Sequence, residues 1–396
     1  MVIDEFENLI KEREYQIETL RKKGKKVIGY FCSRFPVELA YALDFIPIRI
    51  FVVNNLYESL GSEYIWERMC PYAKLIVGNF IAENAFYQKN VDIISGTIIC
   101  QVVHRMLDIL SAYTKKITLM LAYPLLRPPQ KEQIEFFTSE INWLKRKLEK
   151  ISQKQLTDSK LREAINLYSK IREELKNIHQ LYADGKLVIT YKDFIKLIQL
   201  SQFLDPFDFL NLIKKIKTKQ IIQEISINKN INIIISGSII LPGNEVILDI
   251  VEESGGKIIG DDTCSGLRCF YGIDIKEPSI LGIAQAYLNA VPCGAMQCMT
   301  YDKDERLKFL ITLANRYKAH GIIYHTLRFC DPYSFKVNET QKFLQKSKNL
   351  AFLSIHTDVS FAETSRLKTR IEAFIESISF KKECSNADSR DFNGAL

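Results

Sequence analysis

The sequence predicts an α/β protein built from two doubly wound, Rossmann- or flavodoxin-like parallel-sheet domains with a helical segment between them. Three observations carry that expectation. Short apolar runs alternate with helix-length segments over residues 1–129, the same rhythm resumes at Ile231 and continues to about residue 380, and the stretch from 130 to 225 is charged, Leu/Ile-periodic and poor in glycine. Strands separated by helices indicate parallel sheets, and 3.6-residue periodicity without strand alternation indicates helices. The expected boundaries are 1–129, 130–225 and 226–380, with 381–396 a flexible tail.

The elements follow in order. Residues 2–23 read as an amphipathic helix, and Lys26–Phe31 (KVIGYF) as the first strand. Pro36 can open the next helix, because its φ is preset and no amide donor is needed there. Ile46–Phe51 is a second strand, a long helix follows Pro71, Val91–Ser95 is a third strand, a helix follows Cys100, and Ile117–Leu121 is a fourth strand. Composition shifts after Pro128–Pro129 into the helical segment. The α/β pattern restarts with INIIISGS at Ile231, turns at Pro242–Gly243, and enters a helix ending near Gly255–Gly256. Lys257–Gly260 is a strand running into Asp261–Asp262, and Gly321–Tyr324 and Ala351–Ile355 are two more buried strands. Residues 361–379 form a terminal amphipathic helix, and the polar stretch beyond it reads as frayed. The shared βαβ rhythm suggests a pseudo-repeat of one fold.

Bulk properties narrow the function. The chain has 396 residues, 47% of them hydrophobic, which suits more than one core, since single cores stop growing near ~250–300 residues. The N-terminal MVIDEFENLIKERE is charged from its fourth residue and lacks the apolar region of a signal peptide. The longest apolar run, Ile231 to Leu241, is broken by Ser236, Gly237 and Ser238, far short of the ~20 residues a membrane helix needs. A soluble, cytoplasmic protein is expected, with no membrane partner. The net charge of +7 comes from scattered basic residues, with short clusters at Arg21–Lys26 and Lys214–Lys219 that read as solvated helix faces. No zinc-finger spacing or aromatic ribonucleoprotein signature is visible, so no nucleic-acid partner is expected.

Nine cysteines remain to be explained. An odd count in a reducing compartment argues against a disulfide framework and leaves metal ligation or thiol chemistry. Their placement favours a site. Cys100, Cys264 and Cys330 lie just beyond expected strands, and Cys70 precedes Pro71 at a helix entrance. Ligands of open α/β sheets bind outside the carboxyl ends of the strands, and helix N-termini lower thiol pKa, which suits thiolate ligation. There is no CxxC run, which argues against ferredoxin-type clusters, zinc ribbons and thioredoxin chemistry. The local pair is Cys293-x4-Cys298. On spacing alone, a buried structural cysteine remains the leading reading of each.

Several segments together resemble the family of 2-hydroxyacyl-CoA dehydratase and benzoyl-CoA reductase subunits, whose superfamily includes the double-cubane-cluster proteins. They are GYFCSRFPVELAYALDFIPIRI, RMCPYAKLIVG, the stretch from Val91 to Cys100, GGKIIGDDTCSGLRCF, VPCGAMQC, GIIYHTLRFCDPY and HTDVSFAETSRLKTRIEAFIE. They run nearly end to end in the family's order, and the Asp-Asp-x-Cys-x-Gly-x-Arg element and the final Thr-Arg-Ile-Glu-Ala-Phe are the most specific. The resemblance implies that Cys70, Cys100 and Cys330 hold a 4Fe-4S cluster between the two α/β domains. It implies further ligands for a double cubane (8Fe-9S) at Cys264 and Cys293. The third further cysteine of that set is displaced here, to Cys298, with Cys269 as a competing candidate. Six thiolates suit two cubanes joined by a bridging sulfide, and three suit one cubane with an open iron. Cys100-Gln101-Val102 replaces the Cys-Asp-Gly common in the family.

The resemblance also implies a function: an iron–sulfur reductase or dehydratase component that receives a low-potential electron from an ATP-dependent iron–sulfur activator. A ketyl radical on the substrate would then let an unactivated hydroxyl leave. The implied partners are that activator, an acyl-CoA or other small-molecule substrate, and a second copy or a homologous subunit. The alternatives are a 2-hydroxyacyl-CoA dehydratase subunit with a single 4Fe-4S cluster, and a non-catalytic iron–sulfur electron store. No catalytic acid or base is assigned. Cys32 is expected to pack and Cys384 to be incidental, while His104, His325 and His356 read as structural. Glu38 and Arg49 either support the fold or line the cleft.

Overall fold

The structure is a computed structural model that describes residues 2–52, 55–220, 231–241, 243, 245–298, 303–348, 350–359 and 364–391. The first sheet contains β1 (Val27–Tyr30), β2 (Ile46–Arg49), β3 (Ile93–Ile98) and β4 (Ile117–Ala122) in the order β2-β1-β3-β4, all parallel. After the two-residue β5 (Leu126–Arg127) come four helices, Lys131–Ser152, Asp158–Ala183, Tyr191–Leu200 and Pro206–Gln220. The second sheet contains β6 (Ile231–Gly237), β7 (Gly256–Asp261), β9 (Gly321–Leu327) and β10 (Ala351–Thr357) in the order β10-β9-β6-β7, again all parallel. Helices cover both sheets, as the sequence predicts. The short β8 (Gln297–Cys298) pairs with β5 and ties the two halves together.

Two of the inner strands are fully covered: every residue of β1 and of β9 is buried. That is the pattern of a parallel sheet covered on both faces. Some boundaries differ from the sequence reading. The third strand starts at Ile93 rather than Val91, because the Val91 amide is taken by Tyr87 O at 3.0 Å, closing the short helix Phe86–Asn90. It then continues to Ile98. The final helix runs Thr364–Asp391, well past residue 379 and through most of the stretch expected to fray. No glycine or proline occurs between Thr364 and Gly394 to stop it.

A buried ionic junction locks the three parts. Glu38, on the helix Val37–Ala42 beside the first sheet, is fully buried. Its carboxylate pairs with Arg172 of the helical segment at 2.7 Å and accepts from Tyr287 Oη, on the helix Ile280–Asn289, at 2.9 Å. Glu38 therefore supports the fold and does not line the cysteine cavity. One apolar core joins both sheets to the helical segment, and a second lies around β1–β3 and the helices Pro71–Ile81 and Gln101–Tyr113.

Candidate functional site

The cysteines are positioned by strand exits and helix entrances. Cys70 precedes the helix Pro71–Ile81, whose first residue is the proline. Cys100 stands between β3 and the helix Gln101–Tyr113, and Cys330 between β9 and the short helix Asp331–Ser334. Cys264 follows β7, Cys293 follows the helix Ile280–Asn289, and Cys32 lies two residues beyond β1. These six side chains, drawn from both halves of the chain, line one cavity of ≈ 140 Å³. A single water needs ~10–15 Å³ on the same measure, so the space suits a group much larger than a water or a bare ion. Among the described residues no three His, Cys, Asp or Glu side chains close on one metal ion. The thiols are spread around the cavity rather than gathered at a point.

The loop carrying Cys264 is held rigidly. The Asp261 carboxylate accepts from Tyr191 Oη at 2.5 Å, from the Thr263 hydroxyl at 2.8 Å and amide at 2.6 Å, and from the Leu267 amide at 3.2 Å. Asp262 accepts from the Gly237 amide at 2.8 Å and pairs with Arg306 at 3.4 Å. Ser265 Oγ accepts from the Ile240 amide at 2.9 Å. A Cβ at Gly266 would sit 2.1 Å from the Asp261 carboxylate, so only glycine fits there. The polar side chains of this element thus hold the loop's shape and leave Cys264 facing the cavity.

Three arginines line the same cavity, and all are buried: Arg34, Arg49 and Arg268. None has a carboxylate within ion-pair distance among the described residues. Arg49, at the end of β2, donates to Phe31 O at 3.2 Å, Gln202 Oε1 at 2.8 Å, Cys264 O at 2.7 Å and Cys269 Sγ at 3.2 Å, and reaches Cys264 Sγ at 3.6 Å. It also lies over the Phe51 ring at 4.8 Å. Arg34 donates to Val291 O but leaves Nη1 without a partner. Arg268 stacks over Tyr333 at 5.4 Å and leaves Nε and Nη1 without partners. Uncompensated buried cations are costly, and partner loss around a buried charge typically costs several kcal/mol.

The thiols do not supply the missing negative charge on their own. Burial pushes Cys32 up to about 12 and Cys70 up to about 11, and raises Cys100 and Cys330 as well. The first amides of each helix pull the other way, those of Tyr72 and Ala73 at Cys70 and of Val102 and Val103 at Cys100. This corrects the expectation that helix N-termini make these thiols acidic: desolvation outweighs the dipole, and none of Cys70, Cys100 and Cys330 makes a side-chain cap hydrogen bond. A metal ion reverses that balance, because a coordinating thiol loses its proton outright. Six thiol donors, an apolar wall and three unpaired guanidinium groups fit an anionic, thiolate-held iron–sulfur group.

The other candidates divide clearly. Cys269 does not line the cavity: its Sγ donates to Cys264 O at 2.8 Å and accepts from Arg49. His325 is buried, bonds Thr357 Oγ1 at 2.6 Å, and is pushed down to about 4 by burial. His356 is exposed and His104 half-buried, and neither lines the cavity. The side chains of Cys298 and Cys384 lie outside the described residues. Sequence reasoning misses Arg34, and it misses Cys32 as a cavity residue. The strand-exit position that marks Cys100, Cys264 and Cys330 marks Cys32 equally, and is the available signal.

Residues 32–378 match the family model described as "2-hydroxyglutaryl-CoA dehydratase, D-component". The chain is 22% identical over 382 residues to the (R)-phenyllactyl-CoA dehydratase beta subunit of Clostridium sporogenes, covering 95% of this chain and 98% of the relative. It is 21% identical over 384 residues to the beta subunit of the (R)-2-hydroxyglutaryl-CoA dehydratase of Acidaminococcus fermentans, covering 95% and 99%. It is 23% identical over 325 residues to a benzoyl-CoA reductase subunit of Thauera aromatica, covering 78% and 80%.

Proposed function

The chain belongs to the 2-hydroxyglutaryl-CoA dehydratase D-component family, and on that premise we propose that it is an iron–sulfur component of a low-potential reductase or dehydratase. In this reading Cys70, Cys100 and Cys330 hold a 4Fe-4S cubane between the two sheets. Cys264 and Cys293 extend the ligand set toward a second cubane. When bound, such a group supplies a one-electron carrier whose potential depends on its net charge, hydrogen bonds and exposure. Arg34, Arg49 and Arg268 provide the counter-charge, and Arg49 also orients Cys264 through its carbonyl and sulfur. The apolar wall around the cysteines, including Tyr72, Ile99 and Leu327, excludes water from the reacting space.

The observation that carries this reading is the convergence of six cysteines and three unpaired buried arginines on one cavity between the halves. The proposed electron donor is an ATP-hydrolysing iron–sulfur activator. The proposed acceptor is an acyl-CoA thioester or another small molecule, in a cytoplasmic setting that keeps thiols reduced. No described helix is long and apolar enough to cross a membrane. Anaerobic purification, iron and acid-labile sulfide assay, and turnover with activator, ATP and reductant test the proposal. Iron-loaded protein that reduces no acceptor favours an electron store instead.

A second reading is a 2-hydroxyacyl-CoA dehydratase subunit with a single cubane and a homologous partner chain. It is favoured by the names of the relatives, each of which is one subunit of a larger enzyme and two of which are beta subunits. Co-purification separates the two, since a stable homodimer counts against this one.

A further inference from the structure

We propose that Cys32 is the sixth thiolate ligand of the cavity, so that the chain holds a two-cubane cofactor with its own cysteines. The proposal rests on the iron–sulfur reading above and extends it. The chain carries five family-matched ligand candidates and lacks the closely spaced second cysteine after Cys293. Two substitutes are apparent from sequence, Cys269 and Cys298.

The geometry excludes the first and favours a third. Cys269 is turned out of the cavity and is engaged by Cys264 O at 2.8 Å and Arg49 Nη1 at 3.2 Å. Cys298 belongs to β8, whose backbone pairs with Leu126–Arg127. Cys32 instead lines the cavity together with Cys70, Cys100, Cys264, Cys293 and Cys330. It follows β1, a central strand of the first sheet, just as Cys100 follows β3, Cys264 follows β7 and Cys330 follows β9. Four parallel strands, two from each sheet, thus deliver one cysteine each to the crevice beyond their carboxyl ends, where open α/β sheets place ligands. Cys32 thus brings to the cavity wall the sixth thiol that the five family-matched cysteines leave wanting. Ligation is an acid–base step: the Sγ–H bond breaks, its proton goes to solvent, and the sulfur lone pair forms the Sγ–Fe bond. No electron changes hands in that step.

The test uses the full chain, purified anaerobically and reconstituted with ferric iron, sulfide and a dithiol reductant. Iron and sulfide per chain and the electron paramagnetic resonance spectrum after reduction are compared for wild type, Cys32→Ala, Cys269→Ala and Cys298→Ala. Wild type, Cys269→Ala and Cys298→Ala are expected to hold about eight irons, and Cys32→Ala about four, with an altered spectrum. If Cys32→Ala does not fold, Cys32→Ser keeps the side-chain shape with a poorer iron donor, and is expected to change both readouts. Cys32 variants that keep wild-type iron and spectrum overturn the proposal, as does loss of iron in Cys298→Ala alone. A wild type that takes up no iron refutes the cluster reading itself. A wild type with about four irons that Cys32→Ala leaves unchanged refutes only the role of Cys32.

Discussion

Replacing Glu38 by glutamine gives the sharpest test of how the parts of this chain are joined. The side chain is 0% exposed, pairs with Arg172 at 2.7 Å, and accepts from Tyr287 Oη at 2.9 Å. Glutamine preserves the shape and can still accept from Tyr287. It removes the carboxylate paired with Arg172, whose Nε and Nη2 already lack partners. Burial lowers the Arg172 pKa, yet Glu38 and its neighbours more than offset that, so the guanidinium remains charged. Leaving a buried cation unpaired costs about 3–5 kcal/mol, a large part of the ~5–15 kcal/mol by which folded proteins exceed their unfolded states. The double variant Glu38→Gln/Arg172→Met removes both charges, and is expected to recover most of the loss. Urea unfolding followed by circular dichroism reads the difference. A Glu38→Gln variant within about 1 kcal/mol of wild type, or a double variant no better than the single, would refute the reasoning.

Three further outcomes follow. In cluster-free protein Cys70 titrates at about 11, so at pH 8 it is roughly a thousandth ionised, against roughly a quarter for an ordinary thiol near 8.5. Its alkylation, followed by peptide mass spectrometry, is therefore expected to rise about tenfold per pH unit from 8 to 10, and a plateau below pH 9.5 contradicts this. His325 and His179 are buried, and burial lowers each from 6.5 to about 4. The unfolded chain binds protons below 6.5 that the native state refuses, so stability present above 6.5 falls as pH drops toward 4, by roughly 3 kcal/mol for each histidine. Urea midpoints that stay flat from pH 6.5 to 4.5 would contradict it. In iron-loaded protein, Arg49→Gln removes a cation 3.6 Å from Cys264 Sγ. The reduction potential is expected to become more negative, because a positive donor near a ligand sulfur favours the reduced form. A redox titration that finds no shift removes Arg49 from that role.

The sheets are legible in the sequence because parallel strands buried on both faces must be apolar along most of their length. KVIGYF, INIIISGS and GIIY carry that mark. Strand ends are less legible, since Val91 is as apolar as Ile93 and only a helix-closing hydrogen bond to Tyr87 separates them. The terminal helix outruns its expected end because polar composition suggests fraying, while the absence of glycine and proline decides the backbone. Five of the cavity cysteines are visible from their motifs. Cys32 shares their position just beyond a strand, but no ligand motif surrounds it, and its place beside the other five is seen only in the folded cavity. The arginines are harder still. Arg49 meets Cys264 across a separation of 215 residues, and nothing in one sequence reports that its charge lacks a carboxylate.

The most direct test of the account is the iron and acid-labile sulfide content of the wild-type chain after anaerobic purification and reconstitution. The account predicts a coloured protein with about eight irons per chain, and a colourless one when all six cavity cysteines are replaced together. A wild-type chain that stays colourless and free of iron would contradict it.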